Sequence, residues 1–150
     1  MEKKVYKILN EFKAKYPMSI AWRLKKHAEV VETHINPGEN VLYAFAGQKG
    51  NIYHDLFHTC VVVITDKRIL IASKRLIFGY FCISLTPDLF NDLTIGSGII
   101  WGKVIIDTLN EEITITNLDK KSLPEVETKV STYMMEIKQK YQSHRRENAE

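Results

Sequence analysis

Cysteine is scarce. The chain has two in 150 residues, Cys60 and Cys82, too few for a disulfide framework. Both fall inside apolar, strand-like runs, where a free thiol packs as a small hydrophobe, and they read as reduced thiols of a reducing compartment. Long hydrophobic runs are also missing. The most apolar stretch, Leu76 to Ile83, is far shorter than the roughly 20 residues of a membrane-spanning helix. The basic start Met1-Glu2-Lys3-Lys4 lacks the apolar core of a secretory signal. A soluble, cytoplasmic protein is expected, with the inner face of the membrane as its alternative location.

A strong charge of one sign is absent too. Net charge is +3, and its excess sits in residues 1–36, at +4, while residues 37–121 carry −1. Such asymmetry permits an acidic partner without requiring one. Apolar residues at 45% and charged residues at 26% exclude a disordered or fibrous chain. A single core at this length can be stable without metals or disulfides.

The apolar pattern reads helix, strands, helix. Val5, Ile8, Leu9, Phe12 and Tyr16 recur at helical spacing, and Pro17 then forces an interruption. Ser19 is the expected N-cap of a second helix presenting Ile20, Leu24, Ala28 and Val31 on one stripe. Asn36-Pro37-Gly38 turns the chain. Beyond it the period shortens to that of strands: Val41–Ala46, closed by Gly47, then Thr59–Thr65, Arg68–Ser73, Leu76–Ser84, Asp92–Gly96, Trp101–Thr108 and Glu112–Asn117. These runs are dense in β-branched residues, which suit a pleated, packed surface. Ser122-Leu123-Pro124-Glu125 matches a capping box with proline in the first turn. Leu123, Val126, Val130, Tyr133, Met134, Ile137 and Tyr141 then trace one helical stripe. The organisation expected is a helical appendage at 1–36, a domain at 37–143 and a polar tail at 144–150.

About seven short strands followed by one amphipathic helix is the order of a pleckstrin-homology-like barrel. Pro37-Gly38-Glu39-Asn40-Val41-Leu42 resembles the entry to the first strand of bacterial PH-like domains. Val63-Ile64-Thr65-Asp66-Lys67-Arg68-Ile69-Leu70 resembles their second hairpin, and Gly98-Ile99-Ile100-Trp101-Gly102-Lys103-Val104 their glycine-bracketed sixth strand. The resemblance spans about residues 37–142 and is nearest to the YokE-like group. It implies an α+β fold in which seven antiparallel strands form two orthogonally packed sheets and the last helix plugs the open end. Fold alone does not give function.

Several motifs are decoys. His54-Asp55-Leu56-Phe57-His58 looks like a zinc-protease helix, but it runs into a strand, where positions i and i+4 lie about 13 Å apart. Gly96 to Lys103 imitates a phosphate loop, yet five residues separate Gly96 from Gly102, and Val104 stands where Ser or Thr should hold Mg²⁺. No G-x-S-x-G elbow is present. No enzyme activity, metal or cofactor is expected.

The expected function is therefore binding. A protein partner or a second copy of the chain is the first reading, through Leu76, Phe78, Tyr80, Phe81 and Ile83, because the run from Leu76 to Ile83 is apolar on both faces and a half-exposed strand should alternate. The N-terminal helices are a further candidate to cover it. A membrane surface is the alternative, met by the basic helix of Lys3, Lys4, Lys7, Ile8, Phe12 and Lys15. Lys67, Arg68, Lys74 and Arg75, at two neighbouring hairpin turns, form a candidate anion rim. Phosphoinositide binding, which the resemblance would suggest, is not expected, because the loop from Gly47 to Phe57 holds a single permanent cation, Lys49. Nucleic-acid binding through Arg23-Leu24-Lys25-Lys26 lacks a stacking platform.

Overall fold

The computed structural model describes residues 3–50 and 58–149. Two helices come first, α1 (Lys4–Lys15) and α2 (Leu24–His34). Seven strands follow: β1 (Val41–Lys49), β2 (Thr59–Thr65), β3 (Ile69–Lys74), β4 (Tyr80–Leu85), β5 (Phe90–Ser97), β6 (Trp101–Thr108) and β7 (Glu112–Asp119). The helix α3 (Leu123–Ala149) closes the chain. The strands form one antiparallel sheet in the order β4-β3-β2-β1-β7-β6-β5, folded into a half-barrel. The two sheets expected are thus one. The join is β1, which pairs with β2 along its length and with β7 only at Gln48 and Lys49. Gly47, expected to end the strand, lies inside it at this crossing. A Cβ there would sit 2.7 Å from the Thr116 carbonyl oxygen, so only glycine lets β7 come this close.

Strand β2 is buried at every position because both of its faces are covered. Cys60, Val62 and Ile64 point into the barrel, joined by Phe45, Ile69 and Ile71. Val61 and Val63 point outward, with Leu70 and Ala72 of β3. In β1 the outward set is Val41, Ala44 and Ala46. A bulge between Val41 and Tyr43 shifts the alternation there.

The outward set is what the N-terminal helices cover. Val5 and Leu9 of α1 and Leu24, Ala28 and Val31 of α2 complete that second core, and the small side chains of Ala28, Ala44, Ala46 and Ala72 leave room for close approach. Helix α1 also reaches the first core, where the Phe12 and Phe45 ring centroids are 6.2 Å apart. Residues 3–35 are therefore docked on their own sheet. The receiving surface is mainly β1, β2 and β3, with β4 contributing Cys82.

Ser19 does not cap a helix. Its hydroxyl accepts from the Asp119 N–H at 2.8 Å, the Ile20 N–H donates to the Asn117 carbonyl at 2.8 Å, and the Trp22 N–H donates to Thr59 Oγ1 at 2.9 Å. Partners on β7 and β2 hold residues 19–22 outside any helix, and α2 starts only after Arg23, at φ 54°. Partners across the fold win over a local cap.

The capping box at α3 also dissolves. The Ser122 hydroxyl donates to the Asp119 carbonyl at 2.6 Å, and Glu125 reaches away to Lys15 and Tyr43. Asp119 takes over locally, accepting from the Lys121 N–H at 3.0 Å in the 3-10 turn before the helix. The predicted stripe holds as far as Ile137: Leu123, Val126, Val130, Met134 and Ile137 are buried in the barrel, each contributing about 1.5–3 kcal/mol for a large apolar side chain, while Tyr133 is half-buried and Tyr141 exposed. Gly102 makes this seat. A Cβ there would lie 2.5 Å from Leu123 Cδ1. The helix continues to Ala149 through residues expected as a polar tail.

The apolar run from Leu76 is not all strand. Residues 75–79 are the β3–β4 turn, closed by the Arg75 N–H to the Gly79 carbonyl at 3.0 Å, with Gly79 at φ 78°. Strand β4 begins at Tyr80, opposite Lys74. Leu76 and Phe78 thus sit on the turn, outside the alternating strand to which they were assigned.

Candidate functional site

Arg68 and Glu39 form the tightest polar cluster. Arg68 Nε donates to Glu39 Oε1 at 3.0 Å and its Nη2 to Oε2 at 3.1 Å. The same Nη2 bonds the His34 carbonyl at 2.7 Å, and Nη1 bonds Ser84 Oγ at 2.9 Å. Thr65 Oγ1 and the Asn36 N–H also donate to Glu39. Burial works against the Glu39 charge, but Arg68, Thr65 and Asn36 outweigh it and hold its pKa down at about 2. The cluster pins the end of α2 to β3 and β4. It is a joint.

This cluster divides the expected anion rim. Arg68 spends its charge internally, and the two turns flank β3, a strand of six residues spanning about 20 Å. Lys67 stays exposed at one end, while Lys74 and Arg75 stand at the other. Turns that are neighbours in sequence are thereby separated in space.

At that second end a different set converges. Lys49, Gly50, His58, Ser73, Lys74, Arg75, Leu76 and Phe81 line an open cavity of about 560 Å³. Lys49 Nζ lies 4.4 Å from the Phe81 ring centroid, a cation held on an aromatic face. The Lys74 N–H donates to His27 Nδ1 at 2.8 Å. Burial, with Arg23 nearby, depresses the His27 pKa to about 4, so the ring is neutral and accepts this bond. Along the sequence Lys49 belongs to one expected loop and Lys74 and Arg75 to another. The antiparallel pairings of β1 with β2 and of β2 with β3 bring them to one mouth.

Beside the mouth stands the β3–β4 turn. Ile77 is 78% and Phe78 82% exposed, with Leu76 and Tyr80 more than half exposed. Phe81 and Ile83 instead turn inward and pack on the barrel core. Of the expected interaction residues, three are presented and two are committed to packing. The Tyr80 ring leans on His34, with centroids 5.4 Å apart.

Strand β4 ends the sheet. From Tyr80 to Leu85 it carries no charge, and among the described residues β3 is the only strand paired with it.

The membrane reading of α1 does not survive this packing. Phe12 is buried and Ile8 half-buried against the second core, so the apolar face needed for insertion already faces the sheet. Lys3, Lys4 and Lys7 are exposed on its other side, and Lys15 bonds Glu125 at 2.6 Å. No helix among the described residues is long and apolar enough to cross a membrane.

The remaining motifs fall as follows. Cys60 is buried and its thiol is pushed up to about 12 by desolvation; Cys82 is raised by the same cause. Neither is an activated thiolate. Gly96 to Lys103 is the β5–β6 hairpin, with backbone amides engaged in sheet pairing instead of opening a helix. His54 and Asp55 lie outside the described residues, and among those described no three His, Cys, Asp or Glu side chains group as metal ligands.

No curated protein matches the chain. A solved structure, the pleckstrin homology domain from Shewanella amazonensis SB2B, is similar at 9% identity and a TM-score of 0.45, covering 74% of this chain and 84% of that one. The family model for the bacterial PH domain matches residues 35–132, from the turn before β1 into α3 and beyond half the chain. The chain belongs to the bacterial PH domain family.

Proposed function

We propose that this protein is a non-enzymatic interaction module that binds a polypeptide through its β3–β4 hairpin. One observation carries the reading: Ile77 and Phe78, at 78% and 82% exposure, stand on a turn that leads directly into an uncharged edge strand. Scattered single apolar residues on a surface need no explanation. Three in a row at a hairpin tip, next to a sheet edge that no described strand pairs, combine two features that fit a polypeptide, namely apolar contact and open backbone pairing. The site asks for no catalysis.

A photo-crosslinking residue at position 78 of the full chain, expressed in its own cells, tests this. Polypeptide adducts, absent with the label at exposed Glu127 on α3, are expected. A label that yields lipid adducts alone, or none, overturns the proposal.

A second reading has its own support. Lys49, Lys74 and Arg75 surround the same tip, as cations flank a loop that dips into an anionic bilayer. Here the membrane contact moves from α1 to the turn. Sedimentation with vesicles of phosphatidylglycerol, lost on Phe78→Ser, would favour it over the polypeptide.

A further inference from the structure

We propose that the occupant of the β4 edge is a second copy of this chain, paired antiparallel, β4 to β4, about a twofold axis near Cys82. This inference rests on the polypeptide-binding reading above and names its partner.

Backbone chemistry defines the kind of occupant. An edge strand presents a row of N–H and C=O groups that only another extended chain satisfies in register. Natural edges are usually guarded by Lys, Pro or an inward charge. Tyr80-Phe81-Cys82-Ile83-Ser84-Leu85 has none of these. The opposite edge differs, since β5 lies against α3. Strand β4 is half-buried at Phe81, Cys82 and Ile83, whereas its neighbour β3 is buried from Ile69 to Ser73.

The identity of the occupant follows from self-complementarity. A twofold axis requires that the strand accept its own reversed sequence. Centred on Cys82, Phe81 of each copy faces Ile83 of the other, an aromatic–β-branched pairing that stabilises antiparallel sheets. Tyr80 faces Ser84 on the outer side. No charged residue of β4 itself meets its own kind across the axis, which is the arrangement that would forbid such a pair.

The ends complement each other as well. Reversal brings the Lys74–Arg75 end of one copy alongside the Pro87–Leu89 turn of the other, where Asp88 is exposed. The apolar tip of Leu76, Ile77 and Phe78 then lies over the partner's strand end instead of in water. A foreign peptide would have to supply an uncharged centre, apolar residues on both faces and an acid beyond one end. Strand β4 supplies all three to itself.

Sedimentation equilibrium of the purified full chain under reductant tests the idea. The mass should rise with concentration from 17.4 kDa to twice that value. Tyr80→Lys places the usual guard residue on an exposed position of the edge and should hold the chain at the monomer mass. Its melting temperature should match that of the wild type, so that lost association is not lost folding. Mild oxidation should give a covalent dimer in the wild type and none in Cys82→Ser, because Cys60 is buried.

A wild-type chain that remains a monomer at all concentrations, or a Tyr80→Lys chain that associates like the wild type, overturns the proposal. The two readings separate cleanly. A monomeric pure chain whose position 78 still crosslinks to other polypeptides in cells removes only the second copy. A monomer without polypeptide adducts removes both.

Discussion

Tyr43 donates its hydroxyl to Glu125 across 2.9 Å, joining β1 to the first turn of α3. Lys15 of α1 bonds the other carboxylate oxygen at 2.6 Å. Three elements separated by up to 110 residues meet at one carboxylate. Burial opposes the Glu125 charge, yet Lys15 and Tyr43 hold its pKa below the usual value, and the Tyr43 phenol is raised by burial and by Glu125. Glu125 is better used across the fold than in its own helix cap.

Removing the half-buried donor should therefore cost more than removing the exposed one. Tyr43→Phe leaves a carboxylate with one donor fewer and should destabilise the chain by about 1–2 kcal/mol. Lys15→Ala should do less, because its side chain is 63% exposed and screened by salt. Urea unfolding at low and high salt reads both, and equal losses would contradict this order.

Helix α3 should prove integral to the barrel. Val130 and Met134 are buried at 0% and 2% exposure, so Val130→Asp or Met134→Asp places an unpaired charge in the core. Each should cost several kcal/mol, about 3 or more. Thermal unfolding of either variant at the wild-type temperature would show that the helix is not docked.

Acid should weaken the protein in two steps. His27 is neutral and buried, with its pKa lowered from 6.5 to about 4. Between those values the unfolded chain binds the proton and the folded chain does not, so stability is lost as pH falls through this window, by about 3 kcal/mol if the shift is fully expressed. Glu39, lowered from 4.5 to about 2, adds a further loss as pH falls through that lower range. Denaturant midpoints against pH, with the His27 ring titrated by NMR, should show both. A His27 midpoint near 6.5 would remove the first step.

Deleting residues 1–35 should yield an aggregating protein. The deletion uncovers Val61, Val63, Leu70, Ala72, Ala44 and Ala46 on one face, a contiguous apolar patch of the kind that drives association. Light scattering of the truncated chain reads this directly. A soluble, monomeric and equally stable truncation would show that α1 and α2 add nothing to the sheet.

The helical stripe of α3 as far as Ile137, the apolar stripes of the N-terminal helices and the number of strands were legible in the sequence. Each depends on the spacing of apolar residues, a local property set by 3.6 residues per helical turn or two per strand repeat. The face those helices cover was expected at Leu76–Ile83 and is mainly β1, β2 and β3. The doubly covered strand was expected there too, but it is β2 that is buried on both faces, because the helices dock over β1, β2 and β3. The signals that failed were also local, and each was overruled from afar. Ser19 had the chemistry of an N-cap, but Asp119, Asn117 and Thr59 supplied better partners 37 to 100 residues away. The Ser122–Glu125 box gave way to Lys15 and Tyr43.

The mouth could not be read at all from one dimension. Lys49, His58, Lys74 and Arg75 converge because β1, β2 and β3 pair in one register, and register is chosen by which faces the whole core can bury. The same choice turned Arg68 inward to Glu39 and left Leu76, Ile77 and Phe78 on a turn in place of a strand. Periodicity in the sequence determined which residues would make helices, strands and core. Only the tertiary structure decided which charges meet, which are spent, and which apolar side chains are left for a partner, because those outcomes depend on contacts between segments that the chain brings together only once it has folded.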